Sequence, residues 1–270
     1  NAAECFGLRN KGAVAPGRDA DFILVDDIKA FRVRKVFTAG RLIAEDGRVL
    51  IPLDDAAAGA PSHSIHLKPL DEDALSLPVR TGKARVIGIE PASLVTKNLI
   101  REVKTDDTGC FQSSLNPGLT KVAVIERHKR TGKLGIGILE GYGLTGGAIA
   151  TTISHDSHNI VVAGYNDPDM LLAVRELADM GGGIVSVHGG AVRRLPLPIA
   201  GLMTSADPQE VNAVHHEMLV AARAELGIPE DVEPFMTLSF MALPVIPELK
   251  LTARGLFNVN TFSFVGVEAD

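Results

Sequence analysis

Between residues 84 and 198 the apolar residues come in short aliphatic runs, each closed by glycine or a polar turn. The runs are ARVIGIE, SLVTKNLIREV, TKVAVIERH, GKLGIGILEGYG, GGAIATTIS, NIVVAG and GIVSVHGGAVRRLPLP. Runs of this length, rich in Val and Ile and bounded by turn formers, are strands. KRTG (129–132) joins two of them, and Gly189–Gly190 turns another hairpin. Two segments switch to helical spacing. In the first, Asp167 is the expected N-cap, Pro168 the first helical position and Gly181 the stop, with Leu171, Val174, Leu177 and Ala178 as the apolar stripe. In the second, Asp207, Pro208 and Glu210 form a capped start and Gly227 the stop. The tail from 234 to 268 is apolar and broken by prolines, and is expected to pack across the sheet. With no Trp and 4% aromatic residues in a chain that is 46% apolar, aliphatic side chains must fill the core.

Upstream the pattern differs. Residues 2–8 sit in helical register and Gly12 is placed to end them. Residues 13–50 read as β structure, with turn signals at Pro16–Gly17, Ala39–Gly40 and Asp46–Gly47 around the strand Phe22–Val25. Residues 51–84 are rich in Pro, Ala, Ser and Asp with weak periodicity, and are expected to be a linker. The predicted organisation is α+β: 1–10 the end of a helix, 11–55 strands of a small β-sandwich, 56–84 the linker, and 85–270 a mixed α/β domain. The chain opens without Met, as though cut from something longer. Its net charge of −6 and lack of a basic run argue against nucleic-acid binding. Two cysteines give no disulfide framework and fit a reducing, cytoplasmic setting. No apolar run is long enough for a membrane span, and no signal peptide is visible.

The densest polar cluster is SHDSHN, residues 154–159, between AIATT and IVVAG. The expected form is strand, turn, strand, with Asp156, Ser157 and Asn159 as turn formers. A continuous strand would put His155 and Ser157 on one side and Asp156 and His158 on the other; a tight turn lets the two imidazoles converge. Neutral His, Asp and Asn supply the donors and acceptors that a nitrogenous ring needs. The competing interpretation is a hairpin tip whose side chains satisfy local backbone groups. Glu126, Arg127 and His128 end a strand, as a solvated strand end or as part of a contact or pocket. His63 and His66, like His155 and His158, have H-x-x-H spacing, but no thiol or carboxylate cluster completes a metal set around the first pair. His188 fits a turn, His215 a helix face packed on apolar neighbours, and His216 solvent; Lys97 and Lys250 are expected to snorkel. The MGGG run at 180–183 leads out of a helix and so is not a phosphate loop.

Two stretches are similar to a known family. NAAECFGLRNKGAVAPGRDADFILVDD resembles the exit from an amidohydrolase-superfamily barrel: a last helix, Lys-Gly, a Pro-Gly-x-Asp-Ala-Asp turn and a returning strand. VAVIERH, GYGLTGGAIATTISHDSHNIVVAGYND, LPLPIAGLM and PFMTLSFMALPVIPELKLTARGL together resemble the C-terminal domain of the bacterial adenine deaminases. The resemblance runs from residue 1 to 265 and is strongest over 120–257. One departure is Ala253, where the family pattern has Asp. What it implies is hydrolysis of adenine to hypoxanthine and ammonia at a binuclear Mn2+ or Fe2+ centre in a (β/α)8 barrel, in purine salvage, by a homo-oligomeric, dimeric enzyme. Its metal ligands begin with an H-x-H pair, which is absent here, so the centre is expected upstream of Asn1 and the fragment is expected to be inactive alone. The implied part played by His155, Asp156, Ser157, His158 and Asn159 is lining or closing the adenine pocket, with Glu126, Arg127 and His128 behind them. The alternatives are a purely structural or oligomerisation domain, its apolar LSFMALPVIPELKL segment covering a subunit interface, or an amidohydrolase acting on another cyclic amine or amide.

Overall fold

The computed structural model describes residues 2–52 and 61–269. The chain divides into two compact units, residues 1–56 and 57–270. In the first, helix α1 (Ala2–Cys5) precedes four strands, β1 (Phe22–Val25), β2 (Val33–Thr38), β3 (Arg41–Glu45) and β4 (Arg48–Val49), hydrogen-bonded in chain order. The turns between β2 and β3 and between β3 and β4 fall at Ala39–Gly40 and Asp46–Gly47, where all four residues have positive φ. This is the backbone that Gly and Asp tolerate in two-residue hairpins.

The second unit is built on an eight-stranded sheet. Its strands are β5 (Lys83–Ile89), β6 (Thr96–Glu102), β7 (Leu119–Ile125), β8 (Leu134–Glu140), β9 (Ala148–Thr151), β10 (Ile160–Gly164), β11 (Gly183–His188) and β12 (Ala191–Pro196). Their spatial order is β12-β11-β9-β10-β7-β8-β5-β6, antiparallel throughout except for the β5–β8 pair. The fold is therefore α+β. Both faces of the central strands are covered. Side chains alternate faces along a strand, so Ala123, Ile125, Ile160 and Val162 meet helix α2 (Asp167–Asp179) through Met170, Leu171, Val174 and Leu177. Val122, Val124, Val161 and Ala163 join the opposite cluster. There they meet helix α3 (Pro208–Ala224), helix α4 (Pro234–Ser239) and a three-stranded sheet of β13 (Leu249–Thr252), β14 (Gly255–Asn258) and β15 (Ser263–Val265). Phe111, Tyr142 and Phe235 are the aromatic residues among the buried hydrophobics; the rest are aliphatic or Met.

Three expectations need correction. The N-cap of α2 is Asn166, whose side chain accepts from the Asp169 N–H at 2.9 Å, and not Asp167. The stretch expected to be a linker is part of the second unit from residue 61 onward, and its residues 53–60 lie outside the described residues. Leu75, Leu77 and Val79 are buried, the Val79 N–H donates to the Gly109 carbonyl and the Phe111 N–H to that of Leu77, and the His66 N–H donates to the Arg127 carbonyl at 2.7 Å. Lys250 does not snorkel: it is fully buried and its Nζ donates to the Leu94 carbonyl at 2.8 Å, whereas Lys97 reaches out to Glu90 at 2.5 Å. Ala253 is partly buried against the same core cluster that takes side chains from α3 and α4.

Candidate substrate-facing turn

Strands β9 and β10 pair antiparallel, with Ala150 opposite Val162 and Thr151 opposite Val161. The chain between them is a turn rather than continued strand. The His158 N–H donates to the Ser154 carbonyl at 2.6 Å, and His158 takes a positive φ of 48°. The turn lets the imidazoles converge: the rings of His155 and His158 are 6.3 Å apart at 65°. Asp156 and Ser157 stand exposed at the tip, His155 and His158 are partly buried, and Asn159 is buried.

The base of the turn is fastened on both sides. Thr152 accepts from the Gly183 N–H at 2.7 Å and donates to the Gly201 carbonyl at 2.5 Å. The His155 N–H donates to the Ser239 carbonyl at 3.1 Å at the end of α4, and its ring lies 4.5 Å from Phe240. Beside His155 opens a cavity of about 410 Å³, lined mainly by Ile153, Ile184, Leu219, Phe235 and Phe240, with the His215 ring 5.4 Å from that of Phe235 and tilted by 53°. Volume and lining fall within the range of small-molecule sites.

Glu126, Arg127 and His128 follow β7 beside this turn, because Ile125 of β7 pairs with Ile160 of β10. The structure thus brings Arg127 and His128 onto the turn, while Glu126 bonds within its own loop. The three neighbours differ in kind. Arg127 is 1% exposed, so it is not the end of a solvated strand. Its Nε donates to the His158 carbonyl, its Nη1 to Ser64 and its Nη2 to the Ala200 carbonyl at 3.0 Å. His128 Nε2 pairs with the Ser157 carbonyl at 2.8 Å. Glu126 accepts N–H bonds from His128, Lys129 and Thr131 and the Thr131 hydroxyl. Burial alone would raise its pKa, but these donors outweigh it and hold the carboxyl at about 2.

The electrostatics favour an uncharged imidazole at His158. Partial burial, then the Arg127 charge and the His155 ring, push its pKa below the ordinary value. At pH 7 it offers one N–H donor and one bare acceptor nitrogen, and its Nδ1 is buried with no hydrogen-bond partner. The Ser154 hydroxyl is likewise buried and unpartnered. The carboxylate of Asp156 makes no hydrogen bond or ion pair with the described residues and is free to meet a ligand. Among the described residues no group of three or more His, Cys, Asp or Glu side chains is placed to hold a metal ion. The pairs at 63/66 and 155/158 therefore do not form a metal site within this set. His63 and His66 are exposed, His188 ends β11, and His216 faces solvent.

Ser64, Ala200, Ser239 and Phe240 were not singled out in the sequence. Most of them act through backbone carbonyls, which leave no residue-type signal.

The family model described as the adenine deaminase C-terminal domain matches residues 93–263, which include the whole turn, Arg127 and Ala200 but not Ser64. The chain belongs to the adenine deaminase C-terminal domain family. The amidohydrolase family model matches residues 1–43. Adenine deaminase of Nitratidesulfovibrio vulgaris is 60% identical over 268 residues, covering 99% of this chain and 46% of the relative. Adenine deaminase of Geobacillus kaustophilus is 46% identical over 274 residues, covering 100% and 47%. Adenine deaminase 2 of Carboxydothermus hydrogenoformans is 45% identical over 271 residues, covering 99% and 47%. The chain spans just under half the length of these relatives. No helix among the described residues is long and apolar enough to cross a membrane.

Proposed function

We propose that this chain is the C-terminal part of an adenine deaminase, the hydrolase that converts adenine and water to hypoxanthine and ammonia, and that the 154–159 turn faces the purine. The observation that supports this most is the turn itself: a free carboxylate at Asp156 and a neutral imidazole at His158, held within one tip whose backbone is tied on both sides. A purine presents N–H donors and bare ring nitrogens along its edge. A carboxylate accepts from the first, and a neutral imidazole serves either. The apolar cavity beside His155 supplies an aromatic wall of the kind a flat ring packs against.

The match of residues 1–43 to amidohydrolases supports a metal-dependent hydrolase. The described residues do not fit a metal centre. In this reading the binuclear manganese or iron centre belongs to a (β/α)8 barrel contributed by a part of the enzyme outside this chain. The setting is cytoplasmic purine salvage and the working form a homodimer.

A structural role for the domain is the second reading, and the burial pattern speaks against its simplest form. In the LSFMALPVIPELKL segment Leu238, Ser239, Met241, Ala242, Leu243, Leu249 and Leu251 are spent in the core of the unit. Val245 remains as the large exposed hydrophobic of that run.

The test is kinetic. Full-length enzyme carrying this chain, loaded with Mn2+, should release ammonia and form hypoxanthine from adenine. Asp156→Asn and His158→Gln should each lower kcat/KM for adenine at least about tenfold with unchanged assembly, the loss expected for one mispaired polar contact. Wild-type kinetics in both variants would remove the turn from the pocket, and absence of turnover with adenine would remove the substrate.

A further inference from the structure

Arg127 is one of the largest fully buried side chains of the molecule, and its guanidinium has no carboxylate partner among the described residues. Its charge is met by carbonyl dipoles instead. Nε donates to the His158 carbonyl, Nη1 to the Ser64 carbonyl at 3.1 Å and the Ser64 hydroxyl at 3.0 Å, and Nη2 to the Ala200 carbonyl at 3.0 Å. The surroundings are shaped to the guanidinium plane. Gly201 has a φ of +72°, and a Cβ there would stand 3.0–3.1 Å from the guanidinium atoms. The arginine's own backbone is also held, with the His66 N–H on its carbonyl and Asn159 Oδ1 accepting its N–H at 3.4 Å.

Burying a cation without a counter-charge is costly, and an apolar residue of similar size would serve stability as well or better. The arrangement has another use. The three segments that meet at Arg127 are remote in sequence, and one of them is the candidate turn. We propose that Arg127 is the positioning residue of the purine-facing turn: its planar fork fixes the His158 carbonyl against residues 64 and 200, and so presets the directions in which the His158 imidazole and the Asp156 carboxylate meet the base. The inference rests on the reading of the turn given above. It also gives the guanidinium a second effect. Arg127 and His128 from the end of β7, and His155 and Asp156 from the turn, are the charged and titratable groups around His158; of these Arg127 acts most strongly, and it disfavours imidazolium. A lysine would carry the charge but not the fork, since one ammonium cannot hold three acceptors in a fixed plane.

The experiment uses full-length, Mn2+-loaded enzyme with adenine as substrate. Arg127→Lys and Arg127→Gln are measured for kcat and KM well below their melting temperatures, beside Asp156→Asn and His158→Gln. Both arginine variants should lose 10- to 100-fold in kcat/KM while fully folded and correctly assembled, with lysine giving no rescue. The His158 titration midpoint, followed by NMR, should rise in Arg127→Gln and stay near wild type in Arg127→Lys. If Arg127→Gln does not fold, the lysine variant alone decides. Wild-type kcat/KM in folded Arg127→Lys, with Asp156→Asn and His158→Gln impaired, overturns the positioning role and leaves the turn reading standing. Wild-type kinetics in the two turn variants overturns both.

Discussion

Glu126 shows how much of this region is held by single side chains. Its carboxylate collects three backbone N–H groups and a hydroxyl, which closes the loop after β7 beside the turn. Because its folded pKa of about 2 lies below the unfolded value, it stabilises the fold above about pH 4.5, and that contribution is lost as pH falls toward 2. Glu126→Gln should therefore lower the melting temperature at pH 7, with the difference from wild type shrinking between pH 5 and 2; a constant difference across that range would contradict the assignment. Lys250 is shifted in the same direction, but there the shift marks a cost, because the charged form is the one that burial disfavours. Burial lowers its pKa to about 8, so between pH 8 and 10.5 the unfolded chain binds more protons and stability rises with pH. Lys250→Met should stabilise at pH 7 by about 1–3 kcal/mol after the lost bond to Leu94 is counted, and the gain should fade above pH 8; denaturant unfolding at pH 7 and 10 measures it. At this scale the sequence marked the polar cluster but not the hydrogen bonds that hold it. SHDSHN stands out because six consecutive polar residues sit between aliphatic strands. Arg127 looked like a solvated strand end because its acceptors come from Ser64 and Ala200, far away in the chain and acting largely through carbonyls.

The elements were easier to read, since their signals are local. The β9–β10, β7–β8 and β11–β12 hairpins follow from aliphatic runs and their turns, and α3 starts at the Asp207 cap expected for it. Helix α2 starts one residue earlier than its Asp-Pro signal suggested, because the extended Asn166 offers its side chain to Asp169. Asn166→Ala should cost about 1 kcal/mol in denaturant unfolding, while Asp167→Ala at the same end should show its loss mainly through the ion pair to Lys121 at 2.6 Å. The segment 61–79 was misjudged as a linker because prolines at 69 and 78 mask the alternation of Leu75, Leu77 and Val79. Gly147 carries the tightest backbone approach on β9's entry. Its φ is +66° and a Cβ would sit 2.0 Å from the Val187 carbonyl. Gly147→Ala should destabilise by more than about 2 kcal/mol; a melting temperature unchanged from wild type would rule out this packing.

At the scale of the molecule, the turn stands at the end of central strands that are buried on both faces. The chain matches its family's C-terminal domain over residues 93–263 and the amidohydrolase family over residues 1–43, yet spans just under half of its relatives. Its described residues contain no cluster suited to a metal ion. The fold class and the family could be read from strands and motifs that lie close together in sequence; the substrate's position could not, because it depends on surfaces that meet only in space. The central claim is that these 270 residues orient a purine but do not generate the nucleophile that attacks it. Purified alone and supplied with adenine and Mn2+, the chain should yield no ammonia above the blank, while full-length enzyme assayed beside it turns over. Sustained ammonia release that co-purifies with the isolated chain would contradict the account.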